Sequence, residues 1–173
     1  MEKYQWEVTQ EQMEVLKKLG IDNYPILDDK IRHSTGIKTK DFQVIQLGLS
    51  VSEEFFSQEI GNLPSLEILD INSNKLKSVP ESIGNLLNLQ ELYFGYCKLE
   101  SLPESIGNLK SLKLLDANGS RLTSLPESIG ELKSLETLTL SNNRLTSLPE
   151  SIGELKSLKN LNLSSNQLAC ENI

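Results

Sequence analysis

Histidine, cysteine and aromatic residues are scarce in this chain of 173 residues. It has one histidine and two cysteines, and Phe, Trp and Tyr together make up 5%. A single histidine excludes a multi-histidine metal site. Two cysteines do not make a disulfide framework. No run approaches the roughly 18 apolar residues of a membrane helix, so no span is expected. Positive charge is short as well: 17 Lys and Arg face 24 Asp and Glu, a net charge of −7. Nucleic acids and anionic membranes are held by clustered cations, so neither is the expected partner. The opening MEKYQWEVTQEQ has no cationic stretch running into an apolar one. It does not read as a secretory signal, and a cytoplasmic location is expected. No G-x-x-x-x-G-K phosphate loop occurs. No cofactor is expected, and the length suits one domain.

What is present is a repeat. The string PESIG begins at Pro80, Pro103, Pro126 and Pro149, always 23 residues apart, and the glycines keep the same step through Gly61, Gly84, Gly107, Gly130 and Gly153. Between them runs L-x-x-L-x-L-x-x-N-x-L, as in Leu135, Leu138, Leu140, Asn143 and Leu145. Leu138 and Leu140 alternate with Thr137 and Thr139, the period of a short strand with one buried face. The rest of each unit returns the chain to start the next strand, so the strands lie parallel and the crossover is right-handed. A proline in every return segment opposes a regular helix, which leaves irregular or 3₁₀ turns on the outer side. A unit of this size cannot bury its apolar face alone, so stability must come from stacking.

These motifs resemble the leucine-rich repeat family over residues 44–173. The L-P-x-x-I-G-x-L variant looks most like the 23-residue class of bacterial and archaeal repeats, plant intracellular Ras-group repeats and Ras-suppressor-like scaffolds. The resemblance implies an α/β right-handed solenoid, a horseshoe arc with a parallel sheet on its concave face. It also implies that the column Asn74, Cys97, Ser120, Asn143, Asn166 bonds neighbouring backbone inside each turn. Cys97 is then a small buried residue and not a nucleophile. A bridge from Cys97 to Cys170 would have to span three strand spacings, about 14 Å, beyond disulfide reach. The core column Ile71, Phe94, Ala117, Leu140, Leu163 sets a large residue beside a small one, which suggests volume compensation between layers.

Residues 1–43 do not fit the repeat and read as an N-terminal helical cap and loop. Residues 44–173 hold about six units, the first degenerate. Thr9 and Gln12 form a capping box, Met13, Leu16 and Leu19 share a helical face, and Gly20 stops the helix. This helix is expected to cover the edge of the first strand, which carries Val44, Leu47 and Leu49. Residues 21–43, with Pro25, His33 and Gly36, read as a loop, with His33 at its surface. At the other end Glu171 and Asn172 stand where Leu-Pro would open another unit. Either the last strand is left open, or another chain covers it, or the sequence is a piece of a longer protein; self-association through an open edge is the hypothesis for the first case.

Strand positions facing away from the core form four columns. They run Gln46, Ile68, Glu91, Leu114, Thr137, Asn160; Gly48, Asp70, Tyr93, Asp116, Thr139, Asn162; Ser50, Asn72, Gly95, Asn118, Ser141, Ser164; and Val51, Ser73, Tyr96, Gly119, Asn142, Ser165. Ile68, Tyr93, Tyr96 and Leu114 are apolar or aromatic where solvent is expected, with Asp70, Glu91 and Asp116 around them. The later rows are Thr, Ser and Asn. LPESIGELKSL occurs twice near the end, and such near-identity concentrates specificity on the earlier rows. An aromatic patch with an acidic rim suits a protein partner that is apolar at its centre and basic at its edge. Asp70 and Asp116 fall two strands apart, about 9.6 Å, near the wide end of inverting-glycosidase spacing. Tyr93 stands between them and a gently curved sheet offers no pocket, so neither a catalytic pair nor a cation site is expected. Glu127 with Lys133 and Glu150 with Lys156 read as a solvated outer surface.

The expected function is a non-catalytic protein-interaction module with no metal. The resemblance implies scaffold or regulatory roles, some with small GTPases. The alternative is a substrate-recognition fragment of a larger enzyme or receptor. A cell-surface ligand reader is a third possibility, unsupported by any signal or disulfide-bonded cap.

Overall fold

The computed structural model describes residues 9–19, 36–40, 43–50, 56–73 and 75–169. The expectations for Gly20, Pro25, His33, Asn74 and residues 170–173 lie outside these. One helix, α1 (Gln10–Lys18), precedes seven strands: β1 (Gly36–Lys40), β2 (Gln43–Ser50), β3 (Ile68–Asn72), β4 (Glu91–Tyr93), β5 (Leu114–Asp116), β6 (Thr137–Thr139) and β7 (Asn160–Asn162). Five 3₁₀ segments alternate with the strands: η1 (Gln58–Asn62), η2 (Glu81–Asn85), η3 (Glu104–Asn108), η4 (Glu127–Glu131) and η5 (Glu150–Glu154).

The sheet runs β1 to β7 in chain order, with β2 to β7 parallel. Its register repeats the sequence period: Ile68 pairs Glu91, Glu91 pairs Leu114, Leu114 pairs Thr137 and Thr137 pairs Asn160. Leu69, Leu92, Leu115 and Leu138 are fully buried at the strand centres, and Ile60, Ile83, Ile106 and Ile129 meet them from the 3₁₀ side. The 3₁₀ turns follow from proline. Pro80 sits before η2 with φ −71°, close to the angle its ring imposes, and its carbonyl accepts the Ile83 N–H at 3.1 Å. At η1 the same place is held by Ser57, whose hydroxyl accepts from the Glu59 N–H at 3.3 Å. Phe94 and Ala117 are neighbours in the core column and both are fully buried, the large beside the small.

The inner polar column holds the turns. Asn143 Nδ2 donates to the carbonyls of Ala117, Leu140 and Ser141, and its Oδ1 accepts the Leu122 N–H at 3.0 Å. Asn166 repeats the pattern one unit later. Ser120 keeps one such bond, to the Phe94 carbonyl at 3.3 Å, and Cys97 a weak one to Ile71 at 3.5 Å. Burial pushes the Cys97 thiol up to about 11, so it stays protonated and unreactive at neutral pH.

Three expectations about the N-terminal region need correction. Residues 36–40 are a strand, not a loop. β1 pairs antiparallel with β2 from Gly36↔Gly48 to Lys40↔Gln43, with a slip between Lys38 and Thr39, and Ile37 is fully buried. The edge of β2 is therefore filled by β1 and not by α1. The helix lies against η1 instead, with Lys18 3.6 Å from Glu59. The capping box is half formed: Thr9 accepts from the Gln12 N–H, but Gln12 is buried and its Oε1 accepts the Val44 N–H at 2.8 Å. A side chain that could have closed the cap ties the helix to β2, because a buried strand N–H has no water to turn to. The buried helical face is accordingly Gln12, Val15 and Leu16, with Met13 only half-buried.

Candidate functional site

Each short strand from β4 to β6 alternates half-buried, buried, half-buried, so its first and third residues face away from the core. Ile68, Glu91 and Leu114 form one row across β3, β4 and β5, and Asp70, Tyr93 and Asp116 form the next. All six are half-buried, and Tyr93 and Asp116 point outward from a core occupied by Leu92 and Leu115. Tyr93 is not a free ring: its hydroxyl donates to Glu91 Oε2 at 2.7 Å. Asp116 Oδ1 accepts the backbone N–H and the side-chain amide of Asn118, both at 2.9 Å. The face is thus organised by bonds within it before any ligand arrives.

Tyr96 lies apart from these rows, just past the end of β4. It is 70% exposed, and its backbone is left-handed, with φ 57°. Gly119, Asn142 and Ser165 in the same column are left-handed too. Gly and Asn take this conformation readily, whereas a Tyr is strained there by about 1–2 kcal/mol. The next row accommodates its ring: a Cβ on Gly119 would come within 2.7 Å of Tyr96 Cδ1. An aromatic ring is held over a glycine, in an unfavourable backbone, and left in solvent. Tyr96→Asn is therefore expected to leave stability unchanged or raise it by about 0.5 kcal/mol in thermal denaturation. A loss above about 1 kcal/mol would mean that the ring is needed for packing.

Some residues read as outward-facing belong elsewhere. Ser73 and Ser141 are buried, and the Ser73 hydroxyl accepts the N–H groups of Lys75 and Leu76 within its own turn. Gln46 and Gly48, on β2 beside β1, are buried as well. The rim also carries cations that the columns did not include. Lys113 donates to Gln90 at 3.1 Å, and Lys159 pairs with Glu136 at 2.8 Å, just ahead of the first row. Lys159 holds the Glu136 carboxyl below its ordinary range, first by its hydrogen bond and then by its charge. The signal was in the sequence, since residues 67, 90, 113, 136 and 159 form a column of Glu, Gln, Lys, Glu and Lys. Among the described residues, no three His, Cys, Asp or Glu side chains cluster as a metal site would require, and no helix is long and apolar enough to cross a membrane.

The sequence pattern described as "Leucine-rich repeat region" matches residues 42–121 and 104–173, most of the chain. The chain belongs to the leucine-rich-repeat family. A leucine-rich-repeat protein of Leptospira interrogans is 44% identical, with a TM-score of 0.68 over 74% of this chain and 32% of its own. The PEPR1–AtPEP1 complex is 26% identical, with a TM-score of 0.59 over 90% of this chain and 28% of its own. The ectodomain of the receptor kinase SOBIR1 from Arabidopsis thaliana shares the fold at 21% identity, with a TM-score of 0.72 over 93% of this chain and 96% of its own. The chain thus spans about a third or less of the first two structures. No curated sequence matches it. As a leucine-rich repeat, its fold is of the kind that serves protein–protein interaction.

Proposed function

We propose that this leucine-rich-repeat protein is a non-catalytic module that binds a protein partner on the concave face of β3 to β5. The observation that carries the reading is Tyr96, an exposed aromatic kept in a left-handed backbone and seated on Gly119. The turn imposes this backbone at Gly119, Asn142 and Ser165 as well, so what is particular to this row is a large exposed aromatic where the others carry Gly, Asn or Ser. Ile68 and Leu114 supply apolar area, while Asp70, Glu91 and Asp116 favour a partner with cations at its edge. Lys113, at the entry to β5, sets a boundary to that acidic region. A net charge of −7 favours the same sign of partner. Small GTPases are the first candidates, through the likeness to Ras-group and Ras-suppressor-like repeats, with the protein acting as a cytoplasmic scaffold or regulator.

Panning a random peptide library on the immobilised protein tests this. Enriched sequences should pair Arg or Lys with an aromatic or aliphatic residue. Tyr93→Ala/Tyr96→Ala should bind them at least tenfold less well with an unchanged circular dichroism spectrum, about 1.4 kcal/mol for two truncated contacts. Equal binding by both proteins removes the concave-face reading.

A second reading, a recognition segment within a longer receptor or enzyme, draws on the likeness to larger proteins of which this chain spans a third or less. It uses the same face, and it is favoured if the enriched peptides match a loop of a substrate and not a signalling partner.

A further inference from the structure

One glycine on the concave face has no use within the chain. Gly95 follows β4, in the column that holds Asn118, Ser141 and Ser164 in the later units. Glycine is needed where φ is positive or where a neighbour crowds the Cβ position. Among the described residues Gly119 is the one glycine with a positive φ. Beyond its chain neighbours, a Cβ on Gly95 would meet only Asn118 Nδ2, at an ordinary 3.9 Å. Neither reason applies to Gly95.

The backbone here is also unpaired. In the next unit Asp116 Oδ1 accepts the Asn118 N–H at 2.9 Å, and in the last Asn162 Oδ1 accepts the Ser164 N–H at 3.1 Å. In both, a residue two places back on the concave face turns an oxygen forward onto the N–H. In β4 that place belongs to Tyr93, whose hydroxyl is turned the other way, to Glu91 at 2.7 Å. Among the described residues the Gly95 N–H and carbonyl therefore make no hydrogen bond. The Ser141 N–H, after Thr139, has no such acceptor either, but Ser141 is only 7% exposed, whereas Gly95 is half-buried and carries no side chain above its backbone.

The neighbouring units show what this notch lacks: a carboxylate or carboxamide oxygen arriving from the concave side. Charge chooses between the two. Asp116 Oδ1 lies 2.9 Å from the same Asn118 Nδ2 that borders Gly95, and Asp70 pairs with Tyr93 on the other side. A further carboxylate brought here would be repelled. A neutral primary amide would not, and its –NH2 group offers donors to Asp116 Oδ2, which accepts no hydrogen bond among the described residues. We propose that Gly95 and Asp116 form a specificity notch for the side-chain carboxamide of an asparagine or glutamine on the partner. The amide oxygen accepts the Gly95 N–H, its –NH2 donates to Asp116, and glycine keeps the space of the guest clear. This rests on the concave-face reading and adds the residue that the face selects.

Hydrogen exchange and peptide binding by the full chain test it. In the free protein the Gly95 amide should exchange at least about tenfold faster than those of Tyr96 and Gly119, which already bond the Asn118 and Ser141 carbonyls. Peptides enriched by panning on the wild type should share an Asn or Gln. One of them, synthesised and saturating, should slow Gly95 exchange about tenfold and leave Gly119 unchanged. Replacing its Asn by Asp, or its Gln by Glu, should weaken binding at least about tenfold, and Gly95→Ala should do the same with an unchanged melting temperature. Peptides that need Tyr93 and Tyr96 yet tolerate the acid, or bind Gly95→Ala as well as the wild type, overturn the notch and leave the concave-face reading standing. Protection of Gly95 by peptides with no shared Asn or Gln assigns the acceptor to a main-chain carbonyl and overturns the carboxamide. A melting temperature lowered by Gly95→Ala gives the glycine a structural reason and overturns the notch as well. Panning that enriches no peptide, or peptides indifferent to both tyrosines, removes the two readings together.

Discussion

Asn143→Ala is expected to destabilise the protein by about 3–5 kcal/mol, the largest loss of any single polar truncation considered. The amide of Asn143 is buried and makes four backbone bonds: it donates to Ala117, Leu140 and Ser141 and accepts from Leu122. Alanine would leave the Leu122 N–H and the Ala117 carbonyl without a partner in a dry interior, at about 1–3 kcal/mol for each group stranded, while the Leu140 carbonyl keeps the Asn166 amide and the Ser141 carbonyl keeps the Gly119 N–H. Ser120→Ala, which deletes one bond of 3.3 Å in the same column, should cost only about 1 kcal/mol. Urea denaturation of both variants checks the ratio. Equal losses would show that the turn is held by its backbone and not by the asparagine.

Gly130→Ala should follow closely, at about 3 kcal/mol. A Cβ there would fall 2.4 Å from the Ser151 carbonyl oxygen and 2.7 Å from Ser151 Cβ. The nearer atom is backbone, so trimming Ser151 cannot relieve the clash. The two 3₁₀ segments would have to separate, losing packing along the whole contact. Gly153→Ala is the control. The same residue in the same motif, with open space around its Cβ position, should change stability by less than about 0.5 kcal/mol, or raise it by restricting the unfolded chain. Melting temperatures of the pair separate close approach from turn conformation as the reason for glycine. If conformation were the reason, both variants would suffer alike.

The period made most of the fold legible. A leucine that returns every 23 residues to the same environment specifies the core column, the parallel register and the outward rows together, and Leu92, Leu115 and Leu138 sit where the pattern put them. The N-terminal region offered no such redundancy. In β1 the described side chain, Ile37, is deeply buried, in a segment with no neighbouring copy to compare, and the strand pairs by backbone bonds that any sequence can make. Gln12 reads as half of a local cap, yet its partner Val44 is 32 residues away. Local chemistry proposes such a bond and tertiary packing decides it. In the candidate site the rows could be read directly, but the posture of Tyr96 could not be read from Tyr96 itself. Its column does hold the hint, since Gly119 and Asn142 are the residues that accept left-handed backbone. Ser73 and Ser141 misled because a hydroxyl is as suited to bonding its own turn as to facing water.

The ladder between units has one more consequence. Glu136 donates its N–H to Lys113, and Lys159 repeats the bond to Glu136; Ser111 donates to the Leu87 carbonyl, and Ser157 repeats that bond to Lys133. The backbone bond recurs at each step from Gln90 to Lys159, so each of these modules is fastened to the one before it by the same backbone contact. The molecule's extent is therefore set by a tally and not by a blueprint. A module gained or lost between Leu125 and Leu148 would leave each survivor beside the kind of neighbour it already has, and would move the two ends apart or together by one strand width, about 4.8 Å.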